Sequence, residues 1–334
     1  MRAKHAVSTR LLTRSDVERL LDGPTCIEAV ESAFRMSGEG LPVRSGVLGL
    51  AADAGGFHVK AAMLSTEHGR FAAKVNANFP GNPVLHGLPT IQGALLLFDT
   101  ATGRLLAVMD SIAITVLRTA AATAIAARYL AAPDASTVTV AGCGAQARAQ
   151  LAMLRHVRPV ERAFVFDLDA AKARAFAADA SRDLGIPVTA APELGRALLE
   201  SQIIVTCTTS RQPFLGARHV SPGAFIGAVG ADNPEKSEIE PQLMAASVIV
   251  TDSSEQCATM GDLHHAIAAG LMARDDVRAE LGDVVVDPGR GRRDPAEIVI
   301  FDSTGVGFQD AAAAAVVYDR ALLENAGTAL DFGS

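Results

Sequence analysis

The amino-acid sequence predicts an α/β protein in which a region of helices and antiparallel strands precedes a region of alternating strands and helices. The chain has 334 residues, more than one hydrophobic core usually holds, which favours two domains. Nearly half of the residues are apolar and a fifth are charged, as in globular proteins. The apolar pattern changes near residue 111, where strand candidates separated by Gly-rich turns give way to a long Ala-rich helix and then to alternating segments.

The first region opens with helices. Residues Ser15–Gly40 are predicted to form two helices, with the break at Gly23-Pro24. Ser15 is the predicted N-cap of the first helix, because Glu18 follows three residues later as in a capping box. Strands and turns follow in this order: strands within Val43–Ala62 and Arg70–Ala77, a turn at Phe79–Pro83, and strands at Ile91–Phe98 and Leu105–Met109 joined by a turn at Thr102-Gly103.

The second region begins with a helix at Ile114–Leu130, which Ala131-Ala132-Pro133-Asp134 ends. Beyond it the predicted elements alternate in this order: strand Thr137–Ala141, helix Ala145–His156, strand Ala163–Phe166, helix Ala170–Ser181, and strands Ile203–Thr206, Ala224–Val229 and Val248–Thr251. Such alternation predicts a parallel sheet with crossover helices. The last helix, Gln309–Asn325, is apolar on most faces and is expected to return to the first domain or to lie at a subunit interface.

Composition argues against several classes of partner. The net charge is −7 and Lys and Arg are not clustered, so nucleic acid is not an expected partner. The longest basic group, Arg290 with Arg292 and Arg293, lies in a Gly-rich segment and is interpreted as a solvated loop. No charge-free apolar stretch reaches about 20 residues, so no membrane span is expected. No apolar secretion signal is expected at the N-terminus either.

The cysteines and histidines do not predict a metal site. The four cysteines have no CxxC spacing and no nearby His pair; they are Cys26, Cys143, Cys207 and Cys257. His264 and His265 are adjacent, so on a helix their side chains point in different directions. Scattered thiols of this kind are typical of a reducing compartment, which predicts a cytoplasmic protein.

The strongest local motif is Val138–Ala147, which fits G-x-G-x-x-A directly after a predicted strand and at the start of a helix. In that motif Gly142 permits a tight turn, Gly144 lets the backbone approach a pyrophosphate, and Ala147 lets helix and strand pack closely. Free N–H groups at the helix N-terminus, near Ala145 and Gln146, would hold the phosphates. The alternative is a tight strand–helix turn that binds no ligand.

The next predicted strand ends at Asp167, near the spacing at which this type of domain places an acid on the adenosine ribose. Asp167 would repel a 2′-phosphate, so NAD is predicted in preference to NADP. Asp169 is interpreted as the N-cap of the following helix. Lys172 and Arg174 lie close enough in sequence to leave NADP possible.

Several segments occur in an order that resembles the ornithine cyclodeaminase and mu-crystallin family, including its alanine dehydrogenase-like and imine reductase-like members. They are Phe79–Pro83, Gly87–Thr90, Leu117–Ala121, the Gly142 loop, Val229–Asp232 and Phe301–Gly305. The resemblance covers nearly the whole chain. It implies a substrate-binding and dimerisation domain of mixed α+β structure (residues 1–115 plus 309–334), a Rossmann NAD-binding domain inserted into it (residues 116–308), and a homodimer.

The resemblance also implies ligands for a small amino or imino acid. Arg44, Lys74 and Arg118 match the family's carboxylate ligands, and a carboxylate in a cleft does need charge-assisted donors. Arg44 could equally be a surface ion-pair partner. Asp232, with Lys74, is the catalytic candidate, because it follows an apolar strand and a Gly and therefore lies at the strand's C-terminal edge. Its alternative role is a loop cap before Asn233-Pro234.

Further ligands are implied by the resemblance, and Thr206 and Thr208 also follow the predicted strand at Ile203, so they are expected to face the cofactor. Thr304 is a candidate substrate contact, and the remaining candidate cofactor contacts are Thr90, Arg118, Thr206, Thr208, Val229, Gly230, Ala231, Lys236 and Ser303.

One segment departs from the cyclodeaminases. Where they carry a Glu two residues before a Met-Pro pair, this chain has Ala61, and Lys60 places a cation beside it. A cation would repel a δ-ammonium group, so Lys60 favours a second anion or an uncharged side chain on the substrate. The sequence therefore predicts a reductase or dehydrogenase acting at an α-carbon. Ornithine or lysine cyclodeamination and a non-catalytic, mu-crystallin-like cofactor-binding protein remain alternatives.

Overall fold

The computed structural model describes residues 8–65 and 69–332. The chain divides into two compact units: the first contains the chain up to Arg118 and the chain from Val306 onward, and the second is Thr119–Gly305. The sequence placed the two boundaries after residues 115 and 308. The outer ends of the predicted first domain, residues 1–7 and 333–334, lie outside the described residues, as does the start of the segment in which no secretion signal is expected.

The first unit opens with two helices and a long antiparallel meander. Its elements up to the boundary are β1 (Thr9–Leu12), α1 (Arg14–Leu20), α2 (Gly23–Gly38), β2 (Val43–Ala52), β3 (Gly55–Leu64), β4 (Arg70–Asn78), α3 (Asn82–Leu85), β5 (Ile91–Asp99), β6 (Leu105–Asp110) and α4 (Ser111–Leu130), the last of which continues past the boundary. Strands β2 to β6 pair antiparallel in chain order, and β1 pairs parallel with β6.

The predicted start of the first helix is wrong. The N-cap is Thr13, whose hydroxyl accepts the N–H of Asp16 while the Asp16 carboxylate accepts the N–H of Thr13 at 2.9 Å. The capping box thus begins two residues earlier than Ser15, with a shorter acid at its third position. The break also falls earlier, since Asp22 caps α2 and Gly23-Pro24 forms its first turn, where a missing N–H costs no bond.

The second unit is a parallel sheet with connecting helices, as predicted. Its elements are β7 (Thr137–Ala141), α5 (Ala145–Leu154), β8 (Arg162–Phe166), α6 (Ala170–Leu184), β9 (Val188–Ala190), α7 (Leu194–Leu199), β10 (Ile203–Thr206), β11 (Phe225–Ala228), α8 (Pro241–Ala245), β12 (Val248–Thr251), α9 (Ser254–Met260), α10 (Asp262–Ala268), β13 (Ala279–Glu280), α11 (Leu281–Val286) and β14 (Val299–Asp302). All of its strand pairs are parallel, in the order β13-β12-β14-β11-β10-β7-β8-β9. Apolar residues fill both faces of the central strands, which is typical of buried parallel sheets.

The end of the chain returns to the first unit. Helix α12 (Gly307–Leu323) packs against α2, β3 and β4, and β15 (Thr328–Leu330) pairs antiparallel with β1. The sheet of the first unit therefore has seven strands in the order β15-β1-β6-β5-β4-β3-β2. Phe308 on α12 meets Phe34 on α2 edge to face, with ring centroids 5.1 Å apart.

Helix α4 is, among the described helices, the one whose length and composition would allow it to cross a membrane. Of its most apolar window, 72% is buried inside the protein. Fully buried alanines such as Ala120, Ala121 and Ala122 let neighbouring elements approach the helix closely on several sides, which accounts for an apolar helix of this length in a protein core.

Candidate functional site

A cavity of about 760 Å³ opens in the second unit beside the Gly142 loop. Residues at its wall follow the carboxyl ends of β7, β8 and β10; they include Gly142, Gly144, Asp167, Lys172, Thr208 and Phe214. Ligands of open parallel sheets bind at this edge, outside the carboxyl ends of the strands.

The glycines of the loop are required by its geometry. Gly142 has φ +99°, and a Cβ there would lie 2.8 Å from the carbonyl oxygen of Cys207. A Cβ on Gly144 would meet nothing within 4 Å, so its backbone faces open space. Gly144 is also the N-cap of α5 and offers no side chain to the first N–H groups of that helix. The loop therefore presents unobstructed backbone donors, as a pyrophosphate requires.

Asp167 lies directly after β8 and is held from three sides. Its carboxylate accepts the N–H of Cys143 at 3.0 Å, the N–H of Asp169 at 3.1 Å and Nζ of Lys172 at 2.7 Å. Burial by itself would raise the pKa of Asp167, but these hydrogen bonds, that from Lys172 above all, hold it below its usual value. Asp167 is therefore an ionised acceptor on the cavity wall. Asp169 caps α6 as predicted, accepting the N–H of Lys172 at 3.1 Å.

A second polar cluster is buried in the first unit. Lys74 on β4 and Arg118 on α4 share the carboxylate of Asp310 on α12, at 2.8 Å from Lys74 Nζ and 3.0 Å from Arg118 Nε. Arg118 also donates to the Gln309 side chain at 2.8 Å, and Lys74 donates to the Thr115 hydroxyl at 3.1 Å. Lys74, Arg118 and Asp310 are 3%, 4% and 1% exposed, so all three charges are out of water.

The ionisation of this cluster is set by burial and by the ion pairs. Burial above all, together with the nearby Arg118 and Lys60, lowers the pKa of Lys74 to about 7, although Asp310 acts in the opposite direction. Burial would raise the pKa of Asp310, but Arg118 and Lys74 reverse this and hold it below its usual value. Lys74 can therefore gain or lose a proton near neutral pH, whereas Asp310 stays ionised.

The strand register brings Lys60 to this cluster but separates Arg44 from it. Lys60 lies opposite Lys74, and side chains opposite one another share a face of the sheet. Arg44 lies opposite Met63, three positions from Lys60 along β3, so it points to the other face. Arg44 is exposed. Of the four cations predicted to contact the substrate, the structure thus groups Lys60, Lys74 and Arg118.

Asp232 and Lys236 lie in the segment that follows β11. Lys236 Nζ is 2.7 Å from the Asp232 carboxylate, whose side chain is 54% exposed. His265 contacts the carbonyl oxygen of Lys236 through Nε2 at 2.8 Å. Asp232 is therefore accessible, at the carboxyl edge of the sheet, with a cation beside it.

Other predicted ligands are engaged within the protein. The hydroxyls of Ser303 and Thr304 and the N–H of Gly305 all donate to the buried carboxylate of Asp252, at 2.9, 3.3 and 2.6 Å. Thr206 is fully buried, whereas Thr208 lines the cavity. Thr90 is half-buried in the first unit, where its carbonyl oxygen accepts the N–H of Phe79. The described cavity wall does not include Ala145, Gln146, Val229, Gly230, Ala231 or Lys236.

Of the buried acids that the sequence did not indicate, two bear directly on the candidate site. Asp310 carries a signal that could have been noticed, since it is an acid in the first turn of a helix and directly precedes the apolar run Ala311–Val317. Glu238 carries none, because it lies in a mixed polar segment; in the structure its carboxylate accepts the N–H of Thr208 at 2.6 Å and that of Gly230 at 2.9 Å. Within residues 8–65 and 69–332, no three His, Cys, Asp or Glu side chains are grouped so that they could hold a metal ion.

A glycine-rich turn after β7, an acid after β8 and a wholly parallel sheet define a Rossmann-type dinucleotide-binding domain. Comparison with known proteins extends this to the whole chain. The model of the ornithine cyclodeaminase/mu-crystallin family matches residues 7–325, and the chain belongs to that family. The resemblance drawn from the motifs is confirmed.

The chain is similar to known proteins over nearly its full length. It is 36% identical to an alanine dehydrogenase of Archaeoglobus fulgidus over 327 residues (98% of this chain and 99% of that protein). It is 35% identical to an iminosuccinate reductase of Paracoccus denitrificans over 321 residues (93% and 96%).

Two solved structures have the same fold. An archaeal alanine dehydrogenase dimer with bound NAD superposes with a TM-score of 0.92 at 36% identity, covering 97% of this chain and 99% of that one. The Thermococcus litoralis Δ1-pyrroline-2-carboxylate reductase, in complex with NADH and L-proline, gives a TM-score of 0.91 at 31% identity (96% and 99%).

Asp310→Asn is expected to destabilise the protein by about 3 to 5 kcal/mol, because it leaves the buried Arg118 and Lys74 without a counter-charge. Asp319→Asn is the matched control on the same helix: its pair with Arg70 is 3.3 Å long, its side chain is 58% exposed, and the expected loss is below about 1 kcal/mol. Urea unfolding followed by circular dichroism measures both. Equal losses in the two variants would contradict a buried charge network around Asp310.

Proposed function

We propose that this protein is an NAD-dependent oxidoreductase that transfers hydride at the α-carbon of a small amino or imino acid, in the direction of imine reduction. The observation that carries the proposal is the pair of buried cations, Lys74 and Arg118, in a chain that also has a dinucleotide-binding loop. The relatives support the same chemistry, because their names describe reactions at the α-carbon of alanine, iminosuccinate and Δ1-pyrroline-2-carboxylate.

The charge balance of the cluster favours an anionic ligand. Among the described residues, Asp310 is the acid that pairs with Lys74 and Arg118, so two buried cations share one carboxylate. With Lys74 protonated the trio carries one excess positive charge, and a substrate carboxylate would neutralise it. Arg118 can present a planar donor face to such a group, and Lys74 a point charge.

The cofactor and the protein divide the reaction between them. NADH supplies the hydride when bound, and the Gly142 loop and Asp167 have the open backbone and the ionised acceptor that its pyrophosphate and ribose need. Asp232 is assigned to the substrate nitrogen, where an exposed carboxylate can hold an iminium or exchange a proton. Lys236 Nζ lies 2.7 Å from that carboxylate and orients it.

The expected activity is NADH oxidation with an imine. Absorbance at about 340 nm is followed while pyruvate, glyoxylate or oxaloacetate is mixed with ammonia or methylamine, and pyrroline-2-carboxylate and ornithine are tested alone. Asp232→Asn is expected to bind NADH normally and to lose most of its turnover, by about 100-fold or more.

The outcomes separate the candidate functions. Ammonia release from ornithine without added reductant would indicate a cyclodeaminase, despite Ala61 at the position of the expected Glu. NADH binding without turnover on any substrate would indicate a non-catalytic binding protein. Full activity of Asp232→Asn would remove Asp232 from the mechanism.

Cofactor selectivity is assigned to Asp167. The wild-type protein is expected to prefer NADH, because the carboxylate accepts ribose hydroxyls and repels a 2′-phosphate. Asp167→Asn removes that charge and releases Lys172, so the ratio of kcat/KM for NADPH to kcat/KM for NADH should rise by about tenfold or more. Asp169→Asn, which alters only the cap of α6, is the control and should leave the ratio unchanged.

We further propose a homodimer formed through the uncovered face of the first sheet. Leu48, Leu50, Phe57 and Val75 share that face by register and are 53%, 57%, 43% and 40% exposed. Exposed apolar patches of this kind mark association sites, while α12 covers the other face of β3 and β4. The related archaeal alanine dehydrogenase is a dimer.

Free thiols at all four cysteines support a cytoplasmic location.

Phe57→Glu is expected to convert the protein to a monomer, because it would place a charge within the proposed interface, where dimer formation would bury it. Sedimentation velocity of the wild type should give twice the mass of the chain, and that of the variant the mass of one chain. Leu323→Glu is the control and should remain dimeric, because Leu323 is 87% exposed at the end of α12, which covers the opposite face of the sheet. A monomeric wild type would refute the proposed interface.

A further inference from the structure

Glu238 is a fully buried acid of the second unit that has no part in the proposed mechanism. Its carboxylate accepts the N–H of Thr208 through Oε1 at 2.6 Å and the N–H of Gly230 through Oε2 at 2.9 Å. Thr208 follows β10 and lines the cavity, while Gly230 follows β11 and begins the loop that carries Asp232 and Lys236. One side chain therefore joins the segments that follow two adjacent strands.

The backbone of Glu238 is itself fixed. Its N–H donates to the buried carboxylate of Asp262 at 2.8 Å, and its carbonyl oxygen accepts the N–H groups of Phe214 and Leu215, each at 3.0 Å. Phe214 belongs to the cavity wall. Because Glu238 ends the loop that Gly230 begins, its carboxylate closes that loop at its base.

The glycine at position 230 is explained by this acid. A Cβ on Gly230 would lie 2.4 Å from the Glu238 carboxylate, so any other residue would displace it. Gly230 was predicted as a cofactor contact, whereas the structure gives it a reason within the protein. The hydrogen bond between them therefore requires glycine at position 230 and a carboxylate held in a fixed position at Glu238.

The carboxylate is buried from solvent, and among the described residues no cation pairs with it. Glu238 is fully buried, and burial, followed by the nearby Asp262, raises its pKa to about 7. A protein gains nothing in stability from an acid so placed unless both of its oxygens are needed as acceptors. The N–H groups of Thr208 and Gly230 need two acceptor oxygens on one side chain. A carboxylate has two, whereas the amide of Gln or Asn has one.

We propose that Glu238 is a positioning residue for the reaction, which clamps the Asp232 loop to the cofactor-binding wall at Thr208. The inference rests on the proposed function, since it assigns the loop to catalysis and the wall to the cofactor. Glu238 acts through these segments and does not itself touch the cavity.

Glu238→Gln tests the clamp. The amide keeps one acceptor oxygen and places an NH₂ group opposite the other N–H, so either Thr208 or Gly230 loses its hydrogen bond. The dissociation constant of NADH, measured by its fluorescence, should rise about tenfold, as for one lost buried hydrogen bond, and kcat for imine reduction should fall as well. Asp232→Asn should instead lower kcat alone.

Glu297→Gln is the matched control. Glu297 also ties a loop, accepting the N–H groups of Arg293 at 2.8 Å and Asp294 at 3.3 Å, but it lies outside the cavity wall. It should lower the melting temperature without changing NADH affinity or kcat. If folded Glu238→Gln lowers the melting temperature while NADH affinity and kcat stay within twofold of wild type, Glu238 is purely structural and the inference is overturned.

Measurements on the wild-type protein distinguish failure of the proposed function from failure of the Glu238 inference. They also test the inference if the Glu238→Gln variant does not fold. Failure of wild-type protein to bind NADH refutes the proposed function, and the inference with it. Binding by wild type with equal binding by Glu238→Gln refutes the inference alone. If the variant does not fold, amide hydrogen exchange of wild type decides: the N–H groups of Thr208 and Gly230 should exchange at least about 100-fold more slowly than in an unstructured peptide. Unprotected amides at either residue overturn the clamp.

Discussion

The carboxylate of Asp310 is the group on which the first unit depends, because two buried cations have no other acid of the described chain to pair with. Lys74 precedes it by 236 residues and Arg118 by 192. Removing a charge from water costs several kcal/mol unless it is paired and hydrogen-bonded, so β4, α4 and α12 must meet at one point. That requirement brings the end of the chain back to its beginning and allows a whole domain to be inserted between them.

The second unit also depends on buried carboxylates, but there they bind backbone N–H groups instead of buried cations. Its buried acids accept mostly backbone N–H groups: Glu238 holds the segments after β10 and β11, Asp262 holds the N–H of Glu238, and Asp252 holds Gly305. Parallel strands end at one edge, where irregular segments leave donors unpaired. A carboxylate satisfies two such donors at once, so the edge is rigid without the help of a ligand. Rigid edges of this kind keep a site preorganised.

The sequence predicted most of what is local. The Gly142 motif, the acid at Asp167, the cap at Asp169 and the strands on either side depend on neighbours within a few residues or on one repeated pattern. The clamp at Glu238 and the partner of Lys74 depend on contacts between distant segments, and no spacing in the sequence announces them. The face of the sheet to which Arg44 points was also not predictable, because a shift of one residue in strand register moves a side chain to the opposite face.

The candidate cofactor-binding groups in the Gly142 loop and the candidate carboxylate-binding group Lys74 differ in how their binding depends on pH. Backbone N–H groups in the Gly142 loop cannot change charge, so their attraction for a pyrophosphate is the same at any pH where the fold persists. Lys74 can change charge, and an anion placed beside it would raise its pKa just as Asp310 does. Binding of a carboxylate there would therefore be coupled to uptake of a proton near neutral pH. A buried lysine with a pKa of about 7 makes that coupling possible, whereas an arginine in its place would stay charged throughout.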